Sequence, residues 1–207
     1  MSLNSSYINF GDIVFELIQI DKMDLDDERN IYYSELKLVT GLKDDLTFKS
    51  GKIKYIISKK KNNHTELFFE FISEDFFIFC QKLDEFIISS LANDSIKKFK
   101  TQLNKEKLKD IYKPLINIPF SFNQKPLFKL NVPTVTMDEL NLIEGVTYEL
   151  ILNYPRILFY KNKFIIETII ENIIENINEV SINQAKFEEH SDEFQKQLSI
   201  LDSDFAN

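Results

Sequence analysis

Between Lys109 and Pro133 the chain reads KDIYKPLINIPFSFNQKPLFKLNVP, which holds four of its five prolines with three phenylalanines, a tyrosine and four lysines. A proline inside a helix removes a hydrogen bond and clashes with the preceding turn, and it pushes the residue before it into extended backbone. Prolines at 114, 119, 126 and 133 therefore exclude a helix over this stretch. The segment must run extended with several backbone donors missing, either as a plain crossover or as an aromatic-lined ligand surface.

The flanks read as strands and helices. YINFGDIVFELIQI (7–20) and NIYYSELKLVT (30–40) are rich in Ile, Val, Tyr and Phe and partly alternate, with the acidic run DKMDLDDERN as the turn between them. That run lacks the glycine and the terminal glutamate of an EF-hand loop, so it reads as a solvated turn rather than a calcium site. GKIKYIISKK and ELFFEFIS make a hairpin around the loop KKKNNHT, and alternation puts Lys52 and Lys54 on one face of the first strand. Ser73 is placed to cap a helix, SEDFFIFCQKLDEFIISSLAND, with acids in its first turn and an apolar stripe from Phe76 to Leu91. A second, basic helix is expected over about 95–111. Beyond the prolines, LFKLNVP, VTYELIL and RILFYKNKFIIETII are punctuated by Gly145 and the KNK turn. Over 164–180 the isoleucine spacing matches a helix, while the density of β-branched residues suits a strand. The whole pattern predicts a β-rich α+β domain over 1–180 and an acidic tail over 181–207.

The net charge of −8 is unevenly spread. Residues 164–207 hold ten acids and two lysines, whereas residues 1–163 hold 23 of each sign. Residues 46–65 carry six lysines and no acid, and residues 97–113 carry seven lysines against two acids. A neutral body with basic patches is open to a nucleic-acid partner even though the sum is acidic. The single cysteine, Cys80, falls on the apolar face of the core helix and suits a reducing compartment. MSLNSSYINFGD does not read as a secretion signal and no apolar run is long enough to span a bilayer, so a cytoplasmic location is expected.

Composition argues against catalysis. The two histidines, His64 and His190, stand in no metal-ligand or nucleophile-activating spacing. The four glycines are too scattered for a phosphate-cradling loop, and none of the 33 acids is singled out as a catalytic pair. No enzyme activity, cofactor or metal is expected. Interleaved lysines and aromatics do meet the needs of single-stranded nucleic acid, which takes positive charge along its backbone and rings under its bases. The candidates for phosphate tracking are Lys52, Lys54, Lys59, Lys60, Lys61, Lys129 and Arg156. The candidate stacking rings are Tyr112, Phe120, Phe122, Tyr154, Phe159 and Tyr160. For any one ring, burial in the core is the simpler expectation; the cluster is what points to a groove.

LKDIYKPLINIPFSFNQKPLFKLNVP, followed by LIEGVTYELILNYPRILFYKNKFIIETII, resembles the OB-fold single-stranded DNA-binding proteins of nucleocytoplasmic large DNA viruses, a group related to the podophage replication protein. In that family a Tyr-x-Pro segment leads into a lysine-rich strand ending at proline. A glycine-led strand, a hydrophobic-aromatic strand and a Lys-turn-Phe hairpin follow. The matching pieces are Tyr112 with Pro114, Phe128 to Pro133, Gly145 to Leu152, Ile157 to Tyr160, and Lys161 to Phe164. Leu158 stands where the family often has Trp, and Ala206 and Asn207 follow Phe205 where the family's tail ends in an aromatic.

The resemblance implies an OB-fold-like barrel with one core helix and a second basic helix, and a strand over 164–174. It implies sequence-tolerant single-stranded DNA binding in replication or repair, in host cytoplasm or a viral factory. The tail, with Asp202, Asp204 and Phe205, would compete for the groove and contact replication proteins; homo-oligomers are compatible with it. The alternative is a viral structural or assembly protein that docks through its C-terminal segment, since the apolar stripe from Phe187 to Phe205 would make an interface.

Overall fold

Stretches rich in β-branched and aromatic residues form twelve strands among the described residues. The computed structural model describes residues 7–39, 45–61, 64–118, 125–132 and 140–175. The chain divides into two units, Met1–Ile174 and Glu175–Asn207, and apart from Glu175 the described residues belong to the first. The strands of the first half are β1 (Ile8–Asn9), β2 (Ile18–Asp26), β3 (Ile31–Leu38), β4 (Thr47–Lys49), β5 (Ile53–Lys60) and β6 (Thr65–Phe71). Three helices follow, α1 (Glu74–Asn93), α2 (Ser95–Phe99) and α3 (Lys105–Ile111). The remaining strands are β7 (Ile116–Asn117), β8 (Leu127–Val132), β9 (Thr147–Asn153), β10 (Arg156–Tyr160), β11 (Lys163–Ile166) and β12 (Ile169–Glu175). The β-rich α+β class expected from the sequence is the class adopted. No helix among the described residues is long and apolar enough to cross a membrane.

The larger sheet has the order β1-β4-β9-β5-β6-β8-β7, with β12 also paired to β9; the smaller is β11-β10-β3-β2. β4 and β5 both run antiparallel to β9, with Lys49 opposite Ile151 and Ile53 opposite Tyr148. One extra residue therefore sits on the β4–β5 side, and the two are a single strand bent by a bulge. Ser50 repairs the bend, since its N–H donates to Leu150 O and its Oγ accepts from Leu150 N–H, both at 2.8 Å. Gly51 is required there because a Cβ would lie 2.6 Å from Phe76 Cβ and 2.9 Å from Ser73 Cβ. The bend thus lets the start of α1 settle directly on the sheet.

Helix α1 begins as the sequence predicts. Ser73 Oγ accepts from Phe76 N–H at 3.3 Å, and Glu74 and Asp75 in the first turn favour the positive end of the helix. Its stripe of Phe76, Phe79, Leu83, Ile87 and Leu91 is buried in the core, with Phe79 edge-on to Phe48 at 5.2 Å and Phe76 edge-on to Phe128 at 5.1 Å.

Asp84, on the same buried face, organises the proline segment. Its carboxylate accepts from Tyr112 Oη at 2.5 Å, from Leu115 N–H at 3.1 Å and from Ile116 N–H at 3.4 Å. An extended chain that cannot complete its own ladder at Pro114 is held by a side chain from the helix below.

Three expectations are corrected, and one left open between helix and strand is decided. The strand expected over 7–20 is only β1 at its start and β2 at its end, with 3-10 turns at Phe10–Asp12 and Phe15–Leu17 between. The turn expected over 21–30 shrinks to Asp27–Asn30, where Asn30 takes a left-handed φ of 51° and Arg29 N–H donates to Asp26 Oδ1; residues 21–26 extend β2. The single basic helix over 95–111 is two short ones, broken where Lys100 turns left-handed and where Asn104 caps α3 by accepting from Lys107 N–H at 3.0 Å. The helical spacing over 164–180 belongs instead to β11 and β12 as far as Glu175, as the resemblance implies. The chain turns a corner at Glu167–Thr168, so two strands with a two-residue break place Ile166, Ile169, Ile170 and Ile173 at intervals that imitate a helix.

Residues of the corner and of the proline segment join the two sheets. Lys113 N–H donates to Phe164 O at 3.0 Å and Thr168 N–H donates to Asn131 O at 3.3 Å.

Candidate nucleic-acid interface

The small sheet is built from two distant hairpins, β2–β3 and β10–β11, with Phe159 opposite both Tyr32 and Phe164. Alternation puts those three rings on one face. The end of α2 lies against that face: Phe99 stands edge-on to Phe159 at 5.5 Å, and Phe159 lies 5.7 Å from Phe164. Tyr32 is 53% exposed, which leaves a large ring on open surface.

Two adjoining cavities, of about 720 and 580 Å³, form a groove along this face and share Met23, Tyr32 and Phe99. Lys22, Lys97, Lys98 and Lys100 line the first, and Lys161 and Lys163 the second. The one acid in either lining is Asp94, which is 3.5 Å from Lys97 Nζ. Lys98 is spoken for: its Nζ donates to Ile20 O at 3.2 Å and to Asp21 O, satisfying β2 carbonyls at the irregularity between Ile20 and Met23. Burial holds its pKa below the ordinary lysine value. Lys22, Lys100 and Lys161 are exposed and make no ion pair among the described residues. Lys163 Nζ sits 5.2 Å over the Tyr160 ring. Exposed ammonium groups along a row of rings are what a single strand's phosphates and bases require.

Two of the residues singled out from the sequence, Phe159 and Tyr160, line this groove. Tyr112 and Tyr154 are corrections, because both rings are buried: Tyr112 stacks on Phe164 at 4.8 Å, and Tyr154 meets Phe48 edge-on at 5.3 Å inside the core. Burial raises both phenol pKa values well above the ordinary range.

Arg156 is also corrected, since its guanidinium is committed within the protein. Its Nε donates to Glu167 Oε2 at 2.8 Å while Arg29 holds Oε1 at 2.8 Å, and Asp26 is 3.6 Å from Arg156 Nη1. Lys129 is buried in β8, 3.9 Å from Glu66 Oε1, so it cannot track a strand across open surface. Lys52 is exposed beside the strand bend and Lys54 is half-buried in β5; Lys59, Lys60 and Lys61 are exposed at the tip of the β5–β6 hairpin, with Lys59 Nζ over the Phe68 ring. None of these five lines the groove. Phe120, Phe122, Asp202, Asp204 and Phe205 lie outside the described residues, as does the stripe from Phe187 to Phe205.

No protein-family model matches the chain. No curated protein matches it as a relative either. Tyr32 and Phe99 supply rings that sequence reasoning passed over, although the string KKFK at 97–100 carried the basic-aromatic interleaving in plain view.

Proposed function

We propose that this chain is a sequence-tolerant single-stranded DNA-binding protein of a viral replication or repair system, without catalytic activity of its own. The observation that carries the reading is the groove on the small sheet, where Tyr32, Phe99 and Phe159 stand beside exposed lysines with a single acid in the lining. Bases stack on the rings in any sequence order because every base has a π face, and the lysines follow the phosphates. An OB-type barrel is the architecture that goes with this reading, and the backbone hydrogen bonds joining the two sheets support it. The acidic tail competes for the groove and contacts replication proteins once DNA displaces it.

Fluorescence anisotropy of a labelled oligothymidine of about thirty nucleotides tests the reading. Salt-sensitive binding that weakens about tenfold in Tyr32→Ala supports it, in line with roughly 1–3 kcal/mol for a stacked ring. Absence of binding at low salt removes it.

A further inference from the structure

On the opposite face of the small sheet lies a separate cavity of about 330 Å³. Val132, Leu158 and Ile165 make an apolar floor, Tyr160 forms one wall, and Asn131 and His64 stand at its polar side. His64 Nε2 and Lys129 Nζ are each 3.9 Å from Glu66 Oε1, and Lys61 Nζ is 3.9 Å from Glu66 Oε2. Lys163 Nζ, 5.2 Å over the Tyr160 ring that walls the cavity, adds a further cation beside it. Glu66 thus gathers Lys61, Lys129 and His64, while Glu167, the one carboxylate in the cavity lining, is already held by Arg29 and Arg156. Burial holds the His64 and Lys129 pKa values below their ordinary levels, and the neighbouring lysines push the same way. Positive charge is in surplus in a partly desolvated place, where an anion would be bound most strongly.

We propose that this cavity is a nucleotide site: the base of one 5′-nucleotide lies on Val132, Leu158 and Ile165 against Tyr160, and its phosphate faces His64, Lys61, Lys129 and Lys163. The volume falls at the small end of ligand pockets, a floor of three aliphatic side chains beside a ring accepts a planar base, and the cation cluster accepts a phosphate. Two sources share this chemistry. One is a unit of a strand lying in the groove, which meets the cavity at Ile31 and Tyr160, residues common to both; this source rests on the single-strand reading. The other is a free mononucleotide, which does not.

The test is an NMR titration of the full chain with thymidine 5′-monophosphate, thymidine and inorganic phosphate. Anisotropy with 5′-phosphorylated and unphosphorylated oligothymidine runs beside it. The monophosphate is expected to bind about tenfold more tightly than either fragment. His64→Gln and Ile31→Trp, which narrows the mouth, should each weaken it about fivefold, whereas Lys100→Glu in the groove should not. Thermal melts of both variants establish that they fold, and His64→Gln alone decides if Ile31→Trp does not. No monophosphate binding at millimolar concentration, or full binding by His64→Gln, overturns the site while leaving the groove standing. Monophosphate binding without oligothymidine binding keeps the site, assigns it to a free nucleotide and rejects the single-strand reading. Competition between monophosphate and oligothymidine, or a preference for the 5′-phosphorylated strand, assigns it to the strand.

Discussion

A single carboxylate shows how much one residue directs in this molecule. Asp84 receives three hydrogen bonds from the start of the proline segment, yet burial outweighs them and pushes its pKa up from 3.8 to about 6. The folded state therefore holds the proton more tightly than the unfolded chain, so this group's stabilising contribution is complete below about pH 3.8 and lost as pH rises through about 6. Measured by urea unfolding, wild-type stability relative to Asp84→Asn should fall by about 3 kcal/mol between pH 3.5 and pH 7. Arg156 carries the opposite lesson, because it reads as a phosphate contact and serves as half of a clamp on Glu167. Arg156→Ala should cost about 2 kcal/mol of stability, as Arg29 remains on the buried carboxylate. The salt dependence of DNA binding should stay unchanged.

At the level of elements, the α2–α3 link is where a local rule and the site conflict. Lys100 has φ 57°, a left-handed conformation that costs a residue with a Cβ roughly 1 kcal/mol. Glycine would serve the helix end better but would remove a cation from the groove. Lys100→Gly should therefore raise stability by up to about 1 kcal/mol in urea unfolding while weakening oligothymidine binding several-fold at low salt. Several elements were legible in advance: the β5–β6 hairpin, the cap and stripe of α1, and the extended backbone around Pro114 all follow from local spacing. The basic helix was not, because its break depends on Ser95 being buried, where its Oγ accepts from Leu103 N–H at 3.1 Å. The helical spacing after Phe164 misled for a related reason, since a corner between two strands can imitate a 3.6-residue period.

For the whole molecule, charge is the observable. If Lys22, Lys97, Lys100 and Lys161 each neutralise one phosphate, the slope of log affinity against log salt should be about −3, taking about 0.7 per contact on a single strand. Charge reversal of Lys100 should reduce that slope by about one contact, and the chain ending at residue 180 should bind more tightly than the full chain. A slope near zero would mean that binding, if seen, does not run along this groove.

What the sequence determined by itself was local. Pro114 kept α3 from running on past Ile111, alternation made the strands, Ser73 began α1, and the uneven charge left a neutral body ahead of an acidic C-terminal end. Which rings face water was decided by tertiary structure. Alternation says that Tyr32 and Tyr33 point to opposite sides of a strand, but only pairing β3 with β10 and laying the end of α2 against one face leaves Tyr32 exposed beside Phe99. The same assembly buries Tyr112 and Tyr154 and encloses Glu167 between two arginines, because desolvation and charge pairing depend on neighbours distant in sequence, as Phe48 is from Tyr154 and Arg29 from Glu167.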